Sequence, residues 1–462
     1  MSAKIAVDEL RVGMFVHLDL KWWAHPFALS SFRLTSPDQI ATLRQLGLTH
    51  VRWSPDKSAF DDDTQPAVGH EPAAAPADGA VAAAQAAAAA TSPDAEAAAP
   101  GANAGAPAHA ALAAAHGSRS DAARAQERRR QLAEQREASR LCVRQYGEAA
   151  KSLKAVNDSA FSQPMAAREA AEGLTRALLD KMMVDGELCI RVLSEARPDR
   201  ASAHALNVAV ISMLMGRVFG FDDGEMLDVG VGALLHDVGK LELPERLRHP
   251  DQHASAAEQA GYREHVAHGV AIGKRMGLSP GALLVIGQHH ERADRTGFPN
   301  KLSVDRMSAA ARIVALVNRY DNLCDPSLPA HALTPHEALS LIFAQTRSKF
   351  DASMLNAFIR MMGVYPPGSV VQLTDDRFAM VANVNSTRPL KPRVLVFDPQ
   401  VPADEALYLN LEQHADLGIR RSLRAQQLPD EALKYLAPQQ RLVYFFEPVP
   451  QVRPQVEHGI AA

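Results

Sequence analysis

Histidines and one aspartate recur along the middle of the chain in a pattern that could bind metal ions. His236 and Asp237 are adjacent at the end of an apolar segment, GALLHDVGK, and His289 and His290 form a tandem pair in GQHHER. A carboxylate at the end of an apolar helix costs free energy unless it is paired or metal-bound, and its two oxygens can bridge two cations. Asp237 is therefore the candidate bridging ligand.

Three further predicted helices supply candidate ligands, namely His204, His265, and Asn318 with Asp321. Successive candidates lie between 24 and 32 residues apart, about one helix hairpin each, so every segment could present its ligand to one bundle interior. Helix bundles build metal sites in this way. A lone histidine pair more often satisfies ordinary hydrogen bonds, but five segments at this spacing favour a shared site.

A lysine follows the histidine and aspartate pair closely. Gly239 and Lys240 place an ammonium group about one helical turn from His236 and Asp237. At that distance it could hold a phosphate oxygen as a point charge. The lysine therefore indicates an anionic substrate.

The elements that must position these residues form five predicted regions. The fold class is mainly α, with a helical bundle between a small N-terminal α+β domain and a small β-rich C-terminal appendage. The regions are a small α+β domain at 1–60, an Ala/Pro-rich disordered linker at 61–120, a connector helix at 121–165, the helical domain at 166–365, and a β-rich region at 366–450.

Local patterns support these assignments. In the first region, apolar and polar residues alternate around Val12, Met14, Val16 and Leu18. A helix follows, with Ser36 as the predicted N-cap, Pro37 as its first residue and Gly47 as its C-cap. In the last region, the runs VVQLTDDRFAMVANV, RVLVFD and RLVYFFEP are typical of short strands.

Composition excludes several classes of protein. The formal charge of −4 over 462 residues provides no positive field for a nucleic acid polymer. Three cysteines without a CxxC pair exclude a disulfide scaffold and favour a cytoplasmic location. We expect neither a signal peptide nor a membrane span, because the most apolar stretch, Val208 to Phe219, is short and contains Arg217.

The motifs together resemble the HD-GYP subgroup of the HD phosphohydrolase superfamily, over about residues 190 to 350. The resemblance rests on His204, HisAspValGlyLys at 236–240, HisValAlaHisGly at 265–269, HisHisGluArg at 289–292, GlyPhePro at 297–299, and AlaArgIle with TyrAspAsnLeu at 311–323. The first 60 residues resemble the small domain of unknown function often found ahead of such modules. The resemblance implies a helical bundle with two or three divalent metals, commonly iron or manganese, that hydrolyses cyclic di-GMP to linear pGpG and onward to GMP.

The resemblance also implies a role for each matching residue. One metal would take His204, His236, Asp237 and Asn318, and the other would take Asp237, His265, His289 and His290. Asp237 and Lys240 would act in catalysis, the lysine on the phosphate. Gly297, Phe298 and Pro299 occupy the place of a Gly-Tyr-Pro signature and would shape access for substrate or a partner. Glu291 would orient the ligands without binding metal itself. Arg312 is a weaker candidate for a phosphate contact, and an ordinary surface salt bridge explains it equally well.

Two positions depart from the family pattern. Arg200 stands where three-metal members carry glutamate, so we expect two metals. Asn318 stands where an aspartate ligand is expected, and the lost charge weakens metal binding and predicts slow turnover. Asp321, three residues on and close to one helical turn away, could substitute for the missing ligand with a modest shift, but we expect it to cap or pair locally.

These departures leave a second hypothesis open. The chain would then be a catalytically weak or inactive receptor or docking module for cyclic di-GMP or for a diguanylate cyclase (GGDEF) domain. A homodimer through the connector helix is a further alternative, although irregular heptads favour a solvated single helix there.

Overall fold

A computed structural model describes residues 3–18, 31–34, 37–45, 47–58, 106–182, 188–193, 196, 199–250, 254–385, 388–439 and 441–448. The chain forms two units. The first lies within Met1–Asp19 and Ser31–Arg130, and the second contains Gln131–Ala462. Most of the predicted linker at 61–120, together with the predicted N-cap Ser36, lies outside the described residues.

The first unit is a small antiparallel sheet with one helix. Its elements are β1 (Ala3–Ala6), β2 (Phe15–His17), β3 (Ser31–Arg33), α1 (Pro37–Gln45) and β4 (His50–Ser54), with strand order β1-β4-β2-β3. Of the predicted alternating residues, Met14, Val16 and Leu18 are buried, whereas Val12 is 43% exposed. Gly47 follows α1 with a φ of 70°, the left-handed conformation that suits glycine after a helix. The predicted α+β domain is confirmed.

Helices dominate the second unit, and the first of them begins within the residue range of the first unit. They are α2 (Ala106–Ser159), α3 (Pro164–Met182), α4 (Arg200–Phe219), α5 (Asp223–Leu235), α6 (Glu245–Arg248), α7 (Ala256–Met276), α8 (Pro280–Gln288), α9 (Ala309–Cys324), α10 (Pro335–Gln345), α11 (Ala352–Met362) and α12 (Asp430–Leu436). Short polar side chains cap the first turns of α4, α5 and α7 to α11. Asp222 and Ser255 each form a reciprocal capping box with a glutamate three residues later. Such caps fix where each helix begins and therefore where its ligands point.

A second sheet lies in the same unit. Its strands are β5 (Leu188–Val192), β6 (Val370–Leu373), β7 (Phe378–Asn385), β8 (Arg393–Val396), β9 (Leu409–Asn410), β10 (Ile419–Leu423) and β11 (Tyr444–Pro448). The order is β10-β6-β7-β5-β11, and β8 pairs with β7 and β9. The predicted β-rich C-terminal region is confirmed. The sheet also contains β5, which precedes α4 in the chain and which the sequence did not assign to it.

Helices and sheet share one hydrophobic core. Leu206 on α4, Val317 on α9, Phe358 on α11 and Tyr444 on β11 are all fully buried in it. Helix α4 is long and apolar enough to pass as a membrane span, but 78% of the qualifying stretch is buried inside the protein. This burial is what the central helix of a bundle requires.

Candidate metal centre

Four helices bring six of the seven predicted ligands together. His204 lies on α4, His236 caps the end of α5, His265 lies on α7, and His289 caps the end of α8. With Asp237 and His290 these side chains form two groups whose ligand atoms lie within 4.8 Å of one another. The groups are Asp237, His265, His289 and His290, and His204, His236 and Asp237. Asp237 belongs to both groups.

A close backbone approach places Asp237 at the centre. It is followed by a 3-10 helical turn, Val238–Glu242, that packs on α7. A Cβ atom on Gly239 would lie 1.9 Å from the carbonyl oxygen of His265 and 2.4 Å from the amide nitrogen of Gly269. Only glycine permits this approach, which brings Asp237 within reach of His265.

The two carboxylate oxygens of Asp237 face different histidines. Oδ2 lies 3.4 Å from His236 Nε2 and 3.7 Å from His204 Nε2, whereas Oδ1 lies 3.6 Å from His265 Nε2 and 3.8 Å from His289 Nε2. Within the described residues, the buried Oδ1 accepts no hydrogen bond. A buried carboxylate oxygen without a donor is the arrangement expected of a cation ligand.

Electrostatics keep Asp237 ionised. Burial raises the pKa of its carboxyl group, but the ammonium of Lys240 and then the imidazole of His236 lower that pKa by more, so it lies well below its usual value. Lys240 Nζ donates a hydrogen bond to Asp237 Oδ2 over 2.6 Å. Burial lowers the pKa of Lys240, but Asp237 raises it more, so both groups are charged at neutral pH.

Three histidines are oriented by their own helices. The Nδ1 atoms of His236, His265 and His289 each donate to the carbonyl oxygen three residues earlier, on Ala233, Tyr262 and Ile286 respectively. With the proton on Nδ1, each Nε2 carries a lone pair. The Nε2 atoms of His265 and His289 lie 3.3 Å apart. Two acceptor nitrogens this close suit a cation between them, so the donor set fits divalent metals.

His204 is oriented differently, by a carboxylate from another helix. Its Nδ1 donates to Asp321 Oδ2 over 2.6 Å, and its Nε2 lies 3.1 Å from His236 Nε2. The expectation that Asp321 pairs locally was wrong, because its partner is 117 residues away in the chain. A carboxylate behind a ligating histidine fixes its tautomer and raises its basicity.

Burial also prepares the other histidines to bind a cation. It lowers the pKa of His265 to about 4, and it lowers the pKa values of His289 and His290 well below the usual value for histidine. These imidazoles are therefore neutral at neutral pH. Neutral imidazole is the form that binds metals.

Asn318, the seventh predicted ligand, is buried on α9. Its Oδ1 accepts from Asn322 Nδ2 over 2.5 Å, and in the described part of the chain no hydrogen bond joins it to the histidine cluster. The carboxylate nearest to His204 on this helix is Asp321.

The Gly-Phe-Pro loop touches the cluster through one ring. A Cβ on Gly297 would lie 2.5 Å from backbone atoms of residues 290–292, so glycine is required there. The Phe298 ring stacks on His290, with centroids 4.4 Å apart and an angle of 20°. Glu291 was expected to orient ligands, but it instead accepts the amide protons of Asn300 and Leu302 and so holds the loop.

Sequence reasoning missed Tyr262. Its hydroxyl lies 3.4 Å from His290 Nε2, and Lys240 Nζ lies 5.4 Å from its ring centroid. Burial raises its pKa, so the hydroxyl stays protonated. Tyr262 precedes His265 by three residues, which places both on one helical face, and this spacing was the available signal.

A pocket opens beside His204 and Asp237. Its lining includes the cationic side chains of Arg200, Lys240 and Arg248. Arg200 Nη2 donates to the carbonyl oxygen of Asp325 over 2.8 Å, which holds its guanidinium at the pocket wall. The excess of cations suits an anionic ligand.

Three other polar side chains of the helical domain have structural partners. Arg312 donates to Asp351 over 2.8 Å, which is the salt bridge considered for it. His268 pairs with Glu242 at the surface, 2.7 Å away. His249 accepts a hydrogen bond from Arg200 at 3.3 Å.

Known proteins resemble this chain in both of its domains. Residues 187–354 match the HD domain family, and residues 2–171 match a domain of unknown function, DUF3391. A cyclic di-GMP phosphodiesterase of Pseudomonas aeruginosa is 27% identical over 197 residues, covering 42% of this chain and 47% of that protein. A 3'3'-cGAMP-specific phosphodiesterase of Vibrio cholerae is 32% identical over 167 residues, covering 36% and 32% respectively.

Two more similarities complete the comparison. A cyclic di-GMP phosphodiesterase response regulator of Xanthomonas campestris is 27% identical over 169 residues, covering 36% of this chain and 44% of that protein. The chain thus spans half or less of the length of these curated relatives. Among solved structures, an HDG"Y"P protein from Bdellovibrio bacteriovorus aligns with a TM-score of 0.39 and 14% identity, covering 78% of this chain and 98% of that one.

The helical bundle with a buried histidine and aspartate cluster is an HD domain, a family that binds divalent metals. The chain thus carries an HD domain at residues 187–354 and, ahead of it, a DUF3391 domain at residues 2–171. This confirms the family resemblance drawn from the motifs.

Proposed function

We propose that the chain is a metal-dependent phosphodiesterase that hydrolyses cyclic di-GMP to linear pGpG, with slower onward hydrolysis to GMP. The observation that carries the proposal is Asp237, whose two oxygens face two separate groups of histidines. The names of the relatives, which include phosphodiesterases for cyclic di-GMP and for 3'3'-cGAMP, support a cyclic dinucleotide as the substrate.

Two divalent metals would occupy the two groups. His204, His236 and Asp237 would hold one, and Asp237, His265, His289 and His290 would hold the other. Imidazole nitrogens with one carboxylate suit iron or manganese. When bound, such metals activate water and neutralise charge on the phosphoryl oxygens.

The side chains of the pocket would bind and orient the substrate. Lys240 keeps further N–H donors beyond the one that it gives to Asp237, and these can bind a phosphate oxygen. Arg200 and Arg248 add positive charge for the second phosphate of a cyclic dinucleotide. Tyr262 offers a neutral hydroxyl near His290, and the Phe298 ring holds that imidazole in place.

A second candidate is a receptor that binds the dinucleotide, or docks a diguanylate cyclase (GGDEF) domain, without efficient turnover. One observation favours it: Asn318 is neutral, and its oxygen is already used by Asn322. The metal group that contains His204 would then lack a carboxylate of its own, which weakens its attraction for a dication.

Turnover separates the two candidates. The full chain is loaded with manganese or iron(II), and cyclic di-GMP and 3'3'-cGAMP are followed by chromatography. We expect pGpG from the unchanged chain and no product from D237A. The matched control is H268A, because His268 is one turn from His265 on α7 but pairs with Glu242 outside the cluster; it should retain activity.

The other outcomes are equally informative. Binding of cyclic di-GMP without formation of linear product would refute the enzyme hypothesis and favour the receptor hypothesis. Turnover of 3'3'-cGAMP alone would support phosphodiesterase activity but would contradict cyclic di-GMP as the substrate. N318D should raise turnover severalfold if the neutral side chain limits the enzyme.

A further inference from the structure

We propose that Asn207, held by the chain just before and at the start of β11, is a positioning residue for His204, so that the C-terminal strand sets the affinity of one metal group. The inference rests on the metal centre of the proposed function and names a residue outside the ligand set that determines how tightly one metal group binds. It assigns to the C-terminal sheet a role that reaches His204 through the buried side chains of Asn207 and Asp321.

Asn207 uses its whole carboxamide in this contact. It is 1% exposed on α4, one turn after His204. Its Nδ2 donates to Asp321 Oδ1 over 2.8 Å and to the carbonyl oxygen of Leu442 over 2.9 Å. Its Oδ1 accepts the amide proton of Tyr444 over 2.8 Å. The side chain therefore links Asp321 to the backbone at residues 442–444.

Asp321 passes the constraint to the metal ligand. One carboxylate oxygen is held by Asn207, and the other accepts the Nδ1 proton of His204 over 2.6 Å. Both oxygens have one fixed donor, so the orientation of the His204 ring depends on the position of Asn207. A second link, the 3.1 Å contact between the hydroxyls of Tyr320 and Tyr444, keeps α9 aligned with β11.

This dependence is specific to one group of ligands. His236, His265 and His289 are oriented by carbonyl oxygens of their own helices, three residues earlier. Only His204 among these four is oriented by side chains from outside its helix turn. A shift of β11 should therefore weaken the group of His204, His236 and Asp237 and leave the group of His265, His289 and His290 almost unchanged.

The test measures manganese affinity at both groups in the full, metal-free chain, by calorimetric titration. N207D keeps the shape and the acceptor for Tyr444, but it removes both N–H donors and places a second carboxylate against Asp321. We expect one of two binding steps to weaken by about 10-fold to 100-fold, the usual effect of losing a partner behind a ligating histidine, and the other to change by less than about threefold.

A matched control and a rescue separate positioning from general stability. Asn383 is equally buried and donates to Glu447 on the same strand over 2.8 Å, but it does not contact Asp321. N383A should leave both binding steps unchanged, and thermal unfolding of each metal-free variant reports folding independently. The double change N207D/D321N restores a donor and acceptor pair and should recover part of the lost affinity.

The outcomes distinguish this inference from the proposed function. Two unchanged binding steps in N207D, or equal weakening of both, would overturn the positioning role while leaving the enzyme intact. Selective weakening in a chain that fails to hydrolyse any cyclic dinucleotide would support the positioning role and overturn the enzyme. If the unchanged chain binds neither manganese nor iron(II), both proposals fail.

Discussion

Replacing Gly239 by alanine should weaken metal binding and catalysis, although Gly239 is not itself a ligand. The new Cβ would lie 1.9 Å from the carbonyl oxygen of His265 and 2.4 Å from the amide nitrogen of Gly269. Both are backbone atoms of α7, which cannot rotate aside. Because Cβ contacts below 3.0 Å essentially never occur, the turn that carries Asp237 must retreat from α7 by about 1 Å.

The size of the effect follows from that displacement. Asp237 Oδ1 lies 3.6 Å from His265 Nε2 and 3.8 Å from His289 Nε2, so a shift of this size separates the carboxylate from that group. Misplacing a reacting group by about 1 Å costs about 100-fold in rate. Forcing extra volume into a packed interior costs about 1–3 kcal/mol of folding free energy.

Three assays on the full chain check this prediction: urea unfolding, manganese titration and product formation from cyclic di-GMP. Gly287, two residues before His289 on α8, gives the matched control, because its Cβ would meet only Val270 Cγ2 at an ordinary 3.4 Å. G287A should keep activity and gain up to about 1 kcal/mol from the helix preference of alanine. A G239A chain with unchanged unfolding and unchanged metal affinity would refute the close-packing account.

Two further predictions concern Asp351 and Tyr262. Burial raises the pKa of the Asp351 carboxyl group, but hydrogen bonds from Ser353 and Arg312 lower it more, so the net pKa lies below its usual value. The ionised carboxylate therefore stabilises the fold above about pH 4, and this stabilisation is lost as pH falls through the folded-state pKa. D351N should therefore unfold about 1 kcal/mol more easily at pH 7, with the deficit shrinking below about pH 4 in urea titrations; a pH-independent deficit would argue against the charge. Y262F removes the hydroxyl near His290 and should lower turnover about threefold to tenfold, with less than about 1 kcal/mol change in stability; equal turnover would exclude Tyr262 from the site.

Much of the cluster could be predicted from the sequence because its signals are local. His236 with Asp237, and His289 with His290, are adjacent residues at the ends of apolar runs, and these runs became α5 and α8. Such features need no knowledge of distant contacts.

The parts that could not be predicted depend on contacts between distant segments. Asp321 meets His204 across 117 residues, and Asn207 meets Tyr444 across 237 residues. Nothing in the local sequence of either residue indicates its partner. The run at β5 is only five residues long and contains Arg191, and so short a run does not reveal that it pairs with β11 and β7.

The central claim is that Asp237 joins two groups of histidines into a two-metal centre, and the metal content of purified chains tests it most directly. After loading with manganese and removal of excess metal, we predict about two ions per protomer in the unchanged chain. H204A and H289A should each lose about one ion, and D237A should lose most of both. A metal content that is independent of these three side chains would contradict the account.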